Sequence, residues 1–149
     1  MKEVFLKWLI PKSEKFLKKR ISILSKRHKL SFKDIFVKNY RSRWGCCSSD
    51  SKIFLNWKLI LMHKEIIDYV IIHELTHTLV PNHSKLFWLN VSKYDQNYKE
   101  NRKWLSRNGA KFINFGWLLY RFFLASDIIF FAFSKSFLST RILIGMAVI

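Results

Sequence analysis

His73-Glu74-Leu75-Thr76-His77 is the segment whose residue types and spacing could do chemistry. On a helix, residues i and i+4 stand one above the other, so both imidazoles could reach a single metal ion. Glu74, one position on, could reach a metal-bound water without being a ligand itself. The remaining ligand must come from beyond the helix, and His83 follows across a chain reversal predicted at Val80-Pro81-Asn82. Three neutral imidazoles leave the ion its full charge and an open position for water, which is the donor set of a zinc-dependent hydrolase. HExxH alone fixes only three positions and arises by chance in unrelated helices. Here the polar pair interrupts an apolar helical stripe, and buried His, Glu and His would be destabilising without a partner such as a metal. Asp68, Asp95 and Glu100 stand as alternative third ligands. His28 and His63 lack any such spacing and read as ordinary surface or core residues.

The elements that must position these residues follow from periodicity. From His63 the pattern is helical, with Glu65 and Asp68 in the first turns, where carboxylates oppose the positive end of the helix dipole. Ile66, Ile67, Val70, Ile71 and Leu75 form the apolar stripe, so HExxH is expected mid-helix, and Pro81 should stop the helix near Leu79. Ser84–Tyr94 and Tyr98–Asn108 read as two further helices, the second closed by Gly109 at C′. Met1–Leu30 has near-helical apolar spacing, with Pro11 expected to separate a short first helix from a second and Ser13 to cap the latter. Asp34–Tyr40 and Lys52–Trp57 are short and β-prone; the polar turn residues between them predict a hairpin.

With 149 residues, half of them apolar, the chain can bury one core, and its 4 Gly and 2 Pro disfavour a many-turned sandwich or barrel. The formal charge is +17, and residues 1–50 alone hold 14 basic and 4 acidic side chains. Such a surplus attracts polyanions, whether nucleic acid or anionic lipid, although no motif accompanies it. Cys46 and Cys47 are adjacent and have no further cysteine to pair with, so they read as reduced thiols. The N-terminus lacks the pattern of a secretory signal, and the expected location is cytoplasmic. Residues 112–133 hold 17 apolar side chains in 22, long enough to cross a bilayer, but Arg121 and Asp127 lie within the run. Each would cost about 2.5–3.5 kcal/mol at a bilayer centre, so membrane association through this run is expected at an interface rather than by spanning.

Four segments, in order, carry a resemblance: Val37-Lys-Asn-Tyr-Arg-Ser-Arg-Trp-Gly-Cys-Cys-Ser48, Phe54-Leu-Asn-Trp-Lys-Leu-Ile60, Ile67-Asp-Tyr-Val-Ile-Ile-His-Glu-Leu-Thr-His77 and Asn82-His-Ser-Lys-Leu-Phe-Trp88. Together they resemble the YgjP-like metal-dependent hydrolases, zincins related to the SprT-like and WLM proteases. The eleven-residue histidine spacing also equals that of the metzincin signature, but Val80 stands where that pattern wants Gly. The YgjP resemblance implies zinc on His73, His77 and His83, with Glu74 as the base that cleaves amide bonds of a peptide or protein. It implies an α+β, zincin-like fold: a small β-hairpin or sheet packed on the HExxH helix, with further helices C-terminal. The expected divisions are a basic helical segment (1–33), the metallopeptidase domain (34–111) and a hydrophobic tail (112–149). Cys46 stands where the family has Ser, and a β-rich N-terminal region common in the family is not evident. Arg43 reads as a possible cleft residue, whereas Trp44 and Cys47 read as packing against the metal helix; Trp57 and Trp88 read as core. Two readings compete with catalysis: a basic zinc protein associated with nucleic acid, and a paralogue that keeps zinc without turnover.

Overall fold

The computed structural model describes residues 2–114. In chain order they form α1 (Lys2–His28), β1 (Asp34–Lys38), β2 (Gly45–Cys47), β3 (Lys52–Asn56), a 3-10 turn (Trp57–Leu61), α2 (Lys64–Thr76), α3 (Lys85–Tyr94) and α4 (Tyr98–Ile113). The class is α+β, as expected.

The strand pairing differs from the expected hairpin. The strands lie in the order β1-β3-β2, with β1 parallel to β3 in the register Asp34↔Lys52 to Lys38↔Asn56. The antiparallel partner of β3 is β2, formed by residues that read as part of a turn, with Cys46 opposite Phe54. The hairpin is therefore β2–β3, and its turn is confined to Ser48–Ser51, where Ser51 takes a positive φ of 61°. Strand periodicity then decides the faces. Ile53 and Leu55 of β3 are fully buried, while Phe54 points the other way and stacks on Phe36 at 5.2 Å.

Helix α1 is continuous through Pro11, so the expected break does not occur. Proline removes one hydrogen bond, to the Lys7 carbonyl, but Lys7 and Pro11 both lie on the exposed side, where water can replace it. On the opposite side Leu9, Ser13, Leu17, Ile21 and Leu24 are all buried, and that packing keeps the helix whole. Ser13 is not a cap: its hydroxyl donates to the Trp57 carbonyl at 2.6 Å in the interior. Arg20 adds a two-pronged ion pair to Asp68 of α2, in which both side chains are largely shielded from water. The first helix thus shares one core with β3, α2 and α3, through Leu17, Leu55, Ile71 and Phe87 among others.

Two helix ends also depart from expectation. Helix α2 stops at Thr76 with His77 as its C-cap, so the HExxH motif forms the last turn rather than the middle. His77 keeps right-handed helical angles (φ −64°, ψ −20°), which preserves the i, i+4 relation. Helix α4 runs on to Ile113, and Gly109 lies inside it. The Trp44 indole explains the glycine: a Cβ there would stand 3.1 Å from Trp44 Nε1. The apolar run expected from residue 112 lies, beyond Asn114, outside the described residues. No described helix is long and apolar enough to cross a membrane.

Candidate metal centre

The last turn of α2 and the reversal that follows it bring three imidazoles together. Ligand atoms of His73, His77 and His83 all lie within 4.8 Å of one another. The Nε2 atoms of His73 and His83 face each other at 3.0 Å, and His77 Nδ1 sits 3.2 Å from the Val80 carbonyl. The reversal at Val80-Pro81-Asn82 therefore fixes the His77 ring as well as delivering His83. Ser84 then caps α3 by accepting from Phe87 N–H, so the chain re-enters a helix directly after His83. The Phe87 ring lies beneath all three imidazoles, with centroids 4.4–4.9 Å away.

Electrostatics favour the ligating form of these rings. Burial, followed by the fields of His77 and His83, pushes His73 down to about 3. Burial also lowers His77, partly opposed by its bond to the Val80 carbonyl. Neutral imidazoles are the form a metal binds. His73 Nδ1 is buried without a hydrogen-bond partner among the described residues. Three convergent ring nitrogens, two of them on imidazoles that burial disfavours as cations, fit a divalent ion better than they fit a solvated surface cluster.

Glu74 is almost fully buried, and burial raises its carboxyl to about 8, against a smaller opposing pull from Arg43. Its position depends on Gly45: a Cβ at that residue would stand 2.7 Å from both Cγ and Oε1 of Glu74. Strand β2 is laid against α2 at the one residue type that admits the carboxyl group. Glu74 and the three histidines share a cleft of about 620 Å³ with Gly45, Cys46, Cys47, Ser48 and Thr78. Among the described residues β2 is an edge strand, so its outer backbone groups border this cleft.

The remaining sequence candidates divide clearly. Trp44 and Cys47 pack against the core, and burial beside Glu74 pushes the Cys47 thiol up to about 11, far from thiolate character. Arg43 is exposed and does not line the cleft; its guanidinium lies 5.8 Å from the Tyr40 ring. Trp57 is core, but Trp88 is only half-buried and stacks on His83 at 5.7 Å. Asp68 is engaged by Arg20, Asp95 by the Asn97 N–H and Asn101 side chain, and neither joins the cluster. Glu100 is likewise outside it. His28 packs on Tyr94 and His63 on Trp104, both away from the centre.

One positioning residue escaped sequence reasoning. Asn56, fully buried, donates to the carbonyls of Tyr40 and Arg43, each at 3.0 Å, and accepts from Lys58 N–H at 3.2 Å. It ties down the loop that delivers Trp44 and Gly45. A lone amide within the apolar run Ile53-Phe-Leu-Asn-Trp57 was the available signal.

A family model described as the YgjP-like metallopeptidase domain matches residues 1–108. No curated protein matches the chain. The crystal structure of the metallopeptidase zymogen of Methanocaldococcus jannaschii jannalysin is similar in fold, with a TM-score of 0.54 at 18% identity. That similarity covers 61% of this chain and 94% of the jannalysin chain. With the family match reaching from the start of α1 almost to the end of α4, the chain belongs to the YgjP-like metallopeptidase family.

Proposed function

We propose that the chain is a zinc metallopeptidase in which His73, His77 and His83 hold the ion and Glu74 is the general base. The observation that carries this reading is the convergence of three ring nitrogens within 4.8 Å beside a buried carboxyl group in one open cleft. An all-imidazole donor set suits zinc and leaves room for a further ligand. When bound, the ion supplies Lewis-acid polarisation and eases the deprotonation of water. Glu74, which the charge of a bound ion would hold ionised despite its burial, accepts the proton of the attacking water at a carboxylate oxygen and passes it to the leaving amine. Gly45 leaves that carboxyl group its space, and burial against β2 keeps the group from bulk water. A substrate laid along the free edge of β2 can bond its backbone there, which would bring a peptide carbonyl over the cleft.

Two variants test the reading. Glu74→Gln keeps the size of the side chain but cannot take a proton. It should retain zinc and fold normally while losing hydrolysis by about 10²–10⁴-fold. Equal turnover by wild type and Glu74→Gln would remove Glu74 from the reaction, and no turnover by zinc-loaded wild type would leave a non-catalytic paralogue in which zinc is structural. His83→Ala should lower zinc retention, measured by metal analysis after dialysis; full occupancy in that variant would place the third ligand elsewhere.

A further inference from the structure

On the other side of His83 from the catalytic cleft lies a second groove, of about 820 Å³, between α3 and α4. Five cations line it: Lys85 from α3, and Lys99, Arg102, Lys103 and Arg107 from α4. Among the described residues no acidic side chain lines it, and all five cations are exposed. Its floor is aromatic, with Trp88 stacked on Tyr98 at 5.8 Å and Leu89 beside them. Trp88 also stacks on His83, so the groove adjoins the metal centre through a single ring.

We propose that this groove binds an acidic stretch of peptide, which on the metallopeptidase reading above belongs to the substrate. The geometry of α4 matches such a ligand. Lys99, Lys103 and Arg107 recur every fourth residue, so they rise along one face at about 6 Å intervals. Alternate side chains of an extended peptide recur at about 6.6 Å. A run with acids at every second position therefore meets one cation per acid. The apolar floor takes the stems of those side chains, and among the described residues no carboxylate is ion-paired to any of the five cations. Single-stranded nucleic acid is the rival occupant, but it needs open aromatic faces on which bases can stack. Trp88 is already engaged by His83 and Tyr98, with the Arg102 guanidinium 4.4 Å over its ring.

The test is binding by the full chain carrying Glu74→Gln, which on the catalytic reading leaves the probe uncut, with mass spectrometry of the probe after each titration to verify that it is intact. Fluorescence anisotropy would follow a labelled peptide of alternating Glu and Ser, its Gln counterpart, and a labelled oligothymidylate. The acidic peptide should bind with an affinity that falls as salt rises through about 50–200 mM. Adding Lys99→Glu, Lys103→Glu and Arg107→Glu should weaken it by about tenfold or more. Adding Lys15→Glu, Lys19→Glu and Lys26→Glu on α1 alters the net charge equally and should change it by less than about threefold. If reversal disturbs folding, the corresponding Gln substitutions should give a smaller loss in the same direction. Equal losses from the α1 and α4 sets overturn the groove, as does equal binding of the Gln peptide. Tighter binding of oligothymidylate at the same cations assigns the surface to nucleic acid instead. Binding seen only after removal of residues 115–149 assigns the groove to that segment and overturns the proposal. A zinc-loaded wild type that binds the acidic peptide as expected yet cleaves no peptide overturns only the substrate role.

Discussion

At the residue scale, the contact between Gly45 and Glu74 is the tightest constraint on the centre. Gly45→Ala puts a methyl group 2.7 Å from the carboxylate stem, so either Glu74 must rotate or β2 must lift from α2. The expected loss is about 1–3 kcal/mol of stability, read as a lower melting temperature, together with a fall in kcat. An unchanged melting curve with full activity would show that the strand yields without penalty. The histidines and Glu74 were legible in sequence because their relation is local: helical spacing alone puts two of them on one face. The reversal that brings in His83 was legible for the same reason, through Pro81. Gly45 was not legible, because what it makes room for lies across the fold. Its residue type fits a turn just as well, and only the placement of α2 distinguishes the two.

Among the elements, the loop between β1 and β2 shows how buried polar groups set the geometry of a site. Asn56 satisfies two carbonyls of that loop from inside the core. Asn56→Ala would strand the Arg43 carbonyl and the buried Lys58 N–H and leave the Tyr40 carbonyl only the Lys58 ammonium group, for a loss of about 2–4 kcal/mol. Zinc retention should fall less than activity does, since the histidines sit on α2 and the reversal while Gly45 hangs on the loop. A variant that loses zinc first and activity in parallel would place Asn56 in support of the core rather than the loop. The helices were read with nearly correct centres because their apolar stripes are local signals. The sheet was misread because parallel pairing of β1 with β3 is a long-range choice, and nothing in β1 announces its partner. Pro11 and Gly109 misled for a shared reason. Each obeys a packing contact, the buried face of α1 in one case and the Trp44 indole in the other, that outweighs its usual local preference.

For the whole molecule, the described fold from Glu3 to Asn114 forms one compact unit. Deleting residues 115–149 should therefore leave zinc retention and the zinc-dependent rise in melting temperature unchanged. On the proposed reading zinc binds the folded state, so chelation should lower the melting temperature of full-length and shortened chains alike, by more as free zinc rises above its dissociation constant. Loss of that response in the shortened chain would show that the C-terminal segment completes the core.

Lys58 gives the molecule a further property. Lys58 is a buried residue whose ammonium group donates to the Ile113 carbonyl at 2.8 Å and to the Tyr40 carbonyl at 3.4 Å. The end of α4 and the loop leading to Gly45 are thus fastened to the same nitrogen. A chain cut before Ile113 would therefore leave that nitrogen only the Tyr40 carbonyl among the described residues, and the last turn of α4 counts toward the ordering of that loop.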